Sequence, residues 1–150
     1  AQAVRGRDGM LKGISPLLSP ELLKILAEMG HGDELVIGDA NFPAQSMGQR
    51  CVREDGHGGV ELLDAILSLL PLDTFVDAPV TLMQVVPGTI DYEPPVWKEF
   101  AATVEKHQPG AKLGHIERFA FYDRARKAYA TVATGERSLY ACIILKKGVL

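Results

Sequence analysis

Apolar residues recur three and four apart in some segments of this chain and run together in others, and the two kinds of segment take turns. In SPELLKILAEMG, Leu22, Leu23, Leu26 and Met29 form one stripe of a helix. Ser19 is placed to cap it, Pro20 suits its first turn, Glu21 complements its positive end and Gly30 is a stop signal. The run from Leu35 to Gly38 is short, apolar and flanked by charge, the pattern of a buried strand. A second helix follows from Val60, Leu62, Leu63, Ile66, Leu67 and Leu70, closed by Pro71.

Beyond it, APVTLMQVVPG predicts a strand between prolines, and PPVWKEFAATVEKHQPG predicts a helix that starts at the prolines and ends before Pro109. KLGHIERF is a weaker strand and AFYDRARKA a short helix. YATVAT and YACIILKK are strands separated by GERSL. Alternation that closes on two strands near each other in the chain predicts a three-layer α/β/α domain with a mixed central sheet.

Composition narrows this picture. A chain of 150 residues, 47% hydrophobic and 23% charged, suits one domain with a sizeable core. We assign the domain to residues 10–150 and treat residues 1–9, polar and without periodicity, as a flexible leader or an expression appendage. The net charge of -3 and the lack of a basic run argue against nucleic acid or an anionic membrane as the main partner. No apolar segment approaches the roughly 20 residues of a membrane span, and Cys51 and Cys142 are far apart without zinc-site spacing. The expectation is a soluble cytoplasmic protein with reduced thiols and no structural metal.

Motifs for dinucleotides, P-loops, hydrolase elbows and zincins are all incomplete. DGHGG at residues 55–59 could offer amides to an anion, but a mobile turn before a helix is the preferred reading. His107 and His57 are expected to be solvated, and His115 is ambiguous, since a strand histidine is often simply half-buried. His31, between two glycines at a helix end, is approachable and placed where a protonated ring is favoured, although a structural cap remains the commoner role. Asp39 follows a strand, where ligands gather in open α/β sheets, and an Asx-turn is an equal alternative. Arg118, Tyr122 and Tyr140 are further hydroxyl-binding candidates, while Arg124 and Arg126 could be solvated positions of an amphipathic helix. The residues alone point to a polar site for a neutral, hydroxyl-rich molecule.

Three stretches together resemble the family of D-ribose pyranases and L-fucose mutarotases: LLSPELLKILAEMGHGDELVIGDANFPA, IERFAFYDRARKAYATVATGE and LYACIILKKGVL. Arg118, where the ribose-type branch is expected to carry histidine, places the chain nearer the fucose-type branch. The resemblance implies cofactor-independent interconversion of the α and β anomers of a free sugar, with L-fucose as the expected substrate. It implies His31 as proton donor, with Asp39, Arg118 and Tyr140 binding the sugar and Asp73 and Tyr122 also in its pocket. It further implies a pentamer-based ring, commonly a homodecamer, with sites near subunit contacts. Cys142 is a further binding position where the family usually has Asn; a thiol replaces an amide poorly as a hydrogen-bonding group, so the contact expected there is through its backbone.

D-ribose pyranase activity and a non-catalytic sugar-binding or regulatory module are the alternatives to this reading. Ring opening needs a proton removed from the anomeric hydroxyl and one supplied to the ring oxygen, so the residue types suit the chemistry without metal or nucleotide. His31 and Asp39 are expected to converge on one pocket. Tyr140, Asp73 and a bound water are candidates for the group taking the anomeric proton.

Overall fold

Six strands form one sheet with helices on both faces in a computed structural model that describes residues 11–150. The assignments for residues 1–9 and Met10 lie outside the described residues. In chain order the elements are α1 (Pro20–Glu28), β1 (Glu34–Gly38), α2 (Ala44–Met47), β2 (Cys51–Glu54), α3 (Gly59–Leu67) and β3 (Val80–Met83). They continue with α4 (Val96–His107), β4 (Leu113–Ile116), α5 (Arg118–Lys127), β5 (Ala130–Thr134) and β6 (Ile143–Lys146).

The strand order is β2-β5-β1-β6-β3-β4. β6 is antiparallel to both of its neighbours, while the pairs β2/β5, β1/β5 and β3/β4 are parallel, so the sheet is mixed as expected. The last two strands, adjacent in the chain, are separated in space by β1. ELVIG is buried along nearly its whole length, because helical layers cover both faces of this central strand.

Alternation along the strands sorts two cores. Leu35 and Ile37 of β1 join Leu22, Leu26, Leu63, Ile66, Phe100 and Val104 beneath α1, α3 and α4. Val36 faces the other way, with Phe42, Phe121, Ala125 and Ile144 beneath α2 and α5. One strand therefore serves two hydrophobic layers through the period of 2. Gly38 at its end has to be small, because a Cβ there would lie 2.7 Å from the Phe42 ring.

Ser19 caps α1 as predicted, accepting the Leu22 N–H at 3.1 Å. Buried Ile25 joins the α1 stripe and Leu23 stays only partly covered. α2 and β2 were not foreseen. CVRE is a four-residue edge strand whose Arg53 faces solvent and binds Asp55, so it lacks a long apolar run. α5 starts two residues earlier than predicted, because the Glu117 carboxylate accepts the N–H groups of Phe119 and Ala120.

Two solvated assignments need correction. Arg124 is half-buried and spans the sheet face, donating to Thr81 Oγ1 at 3.1 Å and pairing with Glu34; Arg126 does stay exposed beside Asp123. His107 is also half-buried, with Nε2 2.6 Å from Asp64 Oδ1, and Lys106 Nζ lies 3.0 Å from the same oxygen. Burial opposes ionisation of Asp64, but these two cationic-side partners outweigh it and hold its carboxyl below the ordinary aspartate range.

A group with a depressed folded pKa adds stability above its unfolded pKa and loses it as pH falls through the folded value. Asp64→Asn is therefore expected to lower stability by about 0.5–1 kcal/mol near neutral pH, since a side chain 44% exposed is partly screened by solvent. In thermal melts the gap to wild type should close below about pH 3.8, the ordinary aspartate value. A gap independent of pH would show that the α3/α4 clasp is not electrostatic.

Candidate active site

Strands β1, β3 and β4 end on the same side of the sheet, the side on which antiparallel β6 begins. The turns leaving them enclose a cavity of about 340 Å³. Asp39, Arg118, Tyr122, Tyr140 and Cys142 line it, so five of the predicted positions meet there. This is where open α/β sheets place ligands.

Each side chain arrives by a local device. Asp39 is buried directly after β1; its Oδ1 accepts the Asn41 N–H at 3.0 Å. The Asx-turn and the cavity position thus coexist, and one carboxylate oxygen remains for other partners. Arg118 is the first residue of α5, with its guanidinium 4.5 Å from the Phe119 ring centroid. Its Nε is buried without a partner among the described residues. Tyr122, one turn further along α5, stacks at an angle on Phe42, with centroids 5.9 Å apart.

Tyr140 and Cys142 precede β6 rather than lying in it as predicted. Tyr140 has φ 57 and is the single non-glycine residue with positive φ among the described residues. Such a conformation costs about 1–2 kcal/mol and needs support from its surroundings. Support comes from Trp97, whose Nε1 donates to the Tyr140 carbonyl at 2.9 Å, and from Val86, whose N–H donates to the phenol oxygen at 3.1 Å. Cys142 is fully covered. Burial pushes its thiol well above the ordinary range and the adjacent Asp39 carboxylate adds to that, so it remains a neutral, weak donor at the cavity floor.

His31 and Asp73 lie elsewhere. Both adjoin the opposite end of the sheet, since Gly32 bonds to Lys147 beyond β6 and Asp73 bonds to Lys146. With β1 running between His31 and Asp39, the two are separated by roughly 15–20 Å. Convergence of His31 and Asp39 within one chain is therefore incorrect. The two ends of one five-residue strand cannot share a pocket.

His31 is nonetheless built into a polar pair, its Nε2 3.1 Å from Asp73 Oδ1. Asp73 is almost completely buried, and the Phe75 N–H, followed by His31, draws its carboxyl below the usual range despite that burial. The carboxylate is an acceptor only, so Nε2 carries the hydrogen and Nδ1 is the outward nitrogen. The Phe75 ring, 74% exposed, leans on the imidazole with centroids 5.3 Å apart. Gly32, at φ 89, makes the turn that presents the ring.

The remaining predictions resolve differently. The amides at the start of α3 are already taken, Gly58 N–H by Glu61 and Gly59 N–H by Glu136, which closes the anion-site option. His57 sits 3.6 Å from Glu61, and His115 is exposed against the Trp97 ring. Among the described residues no three His, Cys, Asp or Glu are grouped to hold a metal ion. Asn41, Val86, Thr89 and Leu139 line the cavity unforeseen. The position of QVVPGT directly after a parallel strand was the available signal for Val86 and Thr89.

Residues 12–150 match the profile of the RbsD / FucU transport protein family. The chain is 54% identical over 142 residues to a protein named L-fucose mutarotase from Actinobacillus pleuropneumoniae serotype 5b, covering 93% of this chain and 97% of that one. It is 51% identical over 145 residues to the fucose mutarotase of Homo sapiens, covering 93% and 94%. Among solved structures, the fucose mutarotase of Streptococcus pneumoniae in complex with L-fucose superposes with a TM-score of 0.88 at 50% identity, over 93% and 99% of the two chains.

Proposed function

We propose that this chain, which belongs to the RbsD / FucU transport protein family, is an L-fucose mutarotase, an isomerase that interconverts the α and β anomers of the free sugar. The observation that carries the reading is the cavity in which Asp39, Arg118, Tyr122 and Tyr140 converge. It combines hydroxyl-binding groups with apolar walls from Phe42, Met83 and Ile90, the mixture a deoxygenated sugar requires. Similarity to proteins named fucose mutarotase over nearly the whole chain supports fucose over ribose. Arg118 in place of the histidine expected in the ribose-type branch agrees.

In this reading Asp39 accepts and Arg118 donates hydrogen bonds to sugar hydroxyls, and Tyr140 lies at the anomeric centre. The acid comes from a neighbouring copy: doubly protonated His31, its Nε2–H held on Asp73, gives the Nδ1 proton to the ring oxygen while a bound water takes the proton of the anomeric hydroxyl. Closure on the opposite face reverses both transfers, so the enzyme returns to its starting protonation state. Holding the sugar between two subunits explains why one chain carries the acid and the hydroxyl-binding groups at opposite ends.

Such a contact is heterologous, one end of a subunit against the other end of the next, and repeats into a closed ring. Exposed Phe75 beside His31, and Phe119 and Leu139 near the cavity, at 60% and 50% exposure, offer apolar surface for it to cover. The assembly we propose is a pentamer-based ring, doubled to a homodecamer, in the cytoplasm. No helix among the described residues is long and apolar enough to cross a membrane.

The test is saturation-transfer NMR on equilibrated L-fucose. Catalytic amounts of protein are expected to accelerate magnetisation exchange between the two anomeric protons, and to do so less for D-ribose. Binding of fucose with unchanged exchange would instead make the protein a sugar-binding module.

A further inference from the structure

Proton counting around Tyr140 identifies a residue that none of the preceding roles includes. The Thr89 hydroxyl oxygen lies 2.6 Å from the Val86 carbonyl and 2.6 Å from the Tyr140 phenol oxygen. A carbonyl has no hydrogen to give, so the single hydroxyl hydrogen of Thr89 belongs to the Val86 bond. The short contact to Tyr140 must then carry the phenol's hydrogen. Tyr140 donates to Thr89 and accepts from the Val86 N–H at 3.1 Å.

This leaves the phenol one lone pair and no hydrogen for a ligand. The geometry points to Thr89 as a positioning residue that locks Tyr140 as a hydrogen-bond acceptor toward the sugar, so that a hydroxyl next to the anomeric one must donate to it. Without Thr89 the phenol hydrogen would be free to swing into the cavity and meet that hydroxyl as a competing donor. The role is one of orientation; no proton leaves or joins Tyr140 in it. The turn is suited to the task because the Val86 carbonyl also accepts the Thr89 N–H, at 3.2 Å, which fixes the threonine backbone relative to its own hydroxyl. Thr89 is exposed, so replacing it leaves the core intact.

The inference rests on reading the cavity as the L-fucose site, and its test separates the two. Saturation-transfer exchange of L-fucose is measured for wild type, Thr89→Val, Thr89→Ser, Tyr140→Phe and the Thr89→Val/Tyr140→Phe double variant. Thr89→Val should lower the saturated rate about fivefold, the usual worth of one neutral hydrogen bond. Thr89→Ser, which keeps the hydroxyl, should recover most of that loss. In the double variant Thr89→Val should add nothing to Tyr140→Phe, because the pair acts as a unit.

A wild-type rate with Thr89→Val overturns the role of Thr89 alone. So does equal damage from serine and valine, or a full additional loss on top of Tyr140→Phe, since each indicates a loop effect independent of the phenol. Unaccelerated exchange with wild-type protein overturns the fucose reading and Thr89 with it.

Discussion

His31→Ala slows catalysed L-fucose anomer exchange by about 10²- to 10⁴-fold, the range for loss of a positioned general acid, while the protein still binds the sugar. Binding should survive because Asp39, Arg118 and Tyr140 all line a cavity that His31 does not touch within its own chain. Asp73, anchored by the Phe75 N–H at 3.1 Å, keeps its place without the imidazole, so the fold is not expected to suffer. A histidine that acted only as a structural cap would give the opposite pattern, with stability lost and rate retained.

The same variant tests the shared site. Arg118→Ala should also be inactive, but through weaker sugar binding. Dissociated and reassembled together, the two dead proteins should recover up to about a quarter of wild-type activity, because random mixing in a heterologous ring pairs intact ends at that frequency. Mixed rings, verified by native mass spectrometry, that remain inactive would rule out the two-subunit site.

Phe121→Ala is the largest expected stability loss, about 3–5 kcal/mol. Phe121 is fully buried on the smaller of the two cores and meets Phe42 edge-on with centroids 6.0 Å apart. Little else on that face could fill the gap, since the cluster's other members there include Ala125 on α5 and Ala128 just after it. For a chain of this length the loss corresponds to a fall in Tm of roughly 10–15 °C. The cavity should loosen as well, because Phe42 lines it and Tyr122 stacks on Phe42. Scanning calorimetry of wild type and variant at equal protein concentration decides the first point. A loss below about 1 kcal/mol would mean that α5 is not held by this core.

Residue pattern alone made the helix at Ser19–Gly30, the buried strand after it and the mixed three-layer architecture legible, because caps and apolar periods act within a few residues. It also singled out Asp39, Arg118, Tyr122 and Tyr140 as chemically suited to a sugar, although assigning them to one site required the resemblance of distant segments to a known family. CVRE escaped notice because an edge strand is covered on one side only and needs no apolar run. Arg124 and His107 were misjudged because their partners, Glu34 and Asp64, are remote in the chain. The place of Thr89 after β3 was legible, but its bond to Tyr140 was not, that partner being 51 residues away.

What the chain determined by itself was the kind of each element and the chemistry of each candidate, since propensity, capping and side-chain identity are local properties. Only the tertiary structure decided where those groups stand. Strand order and direction arise from pairing between distant segments, and they set β1 as a spacer between His31 and Asp39 while drawing Asp39, Arg118 and Tyr140 together at its far end.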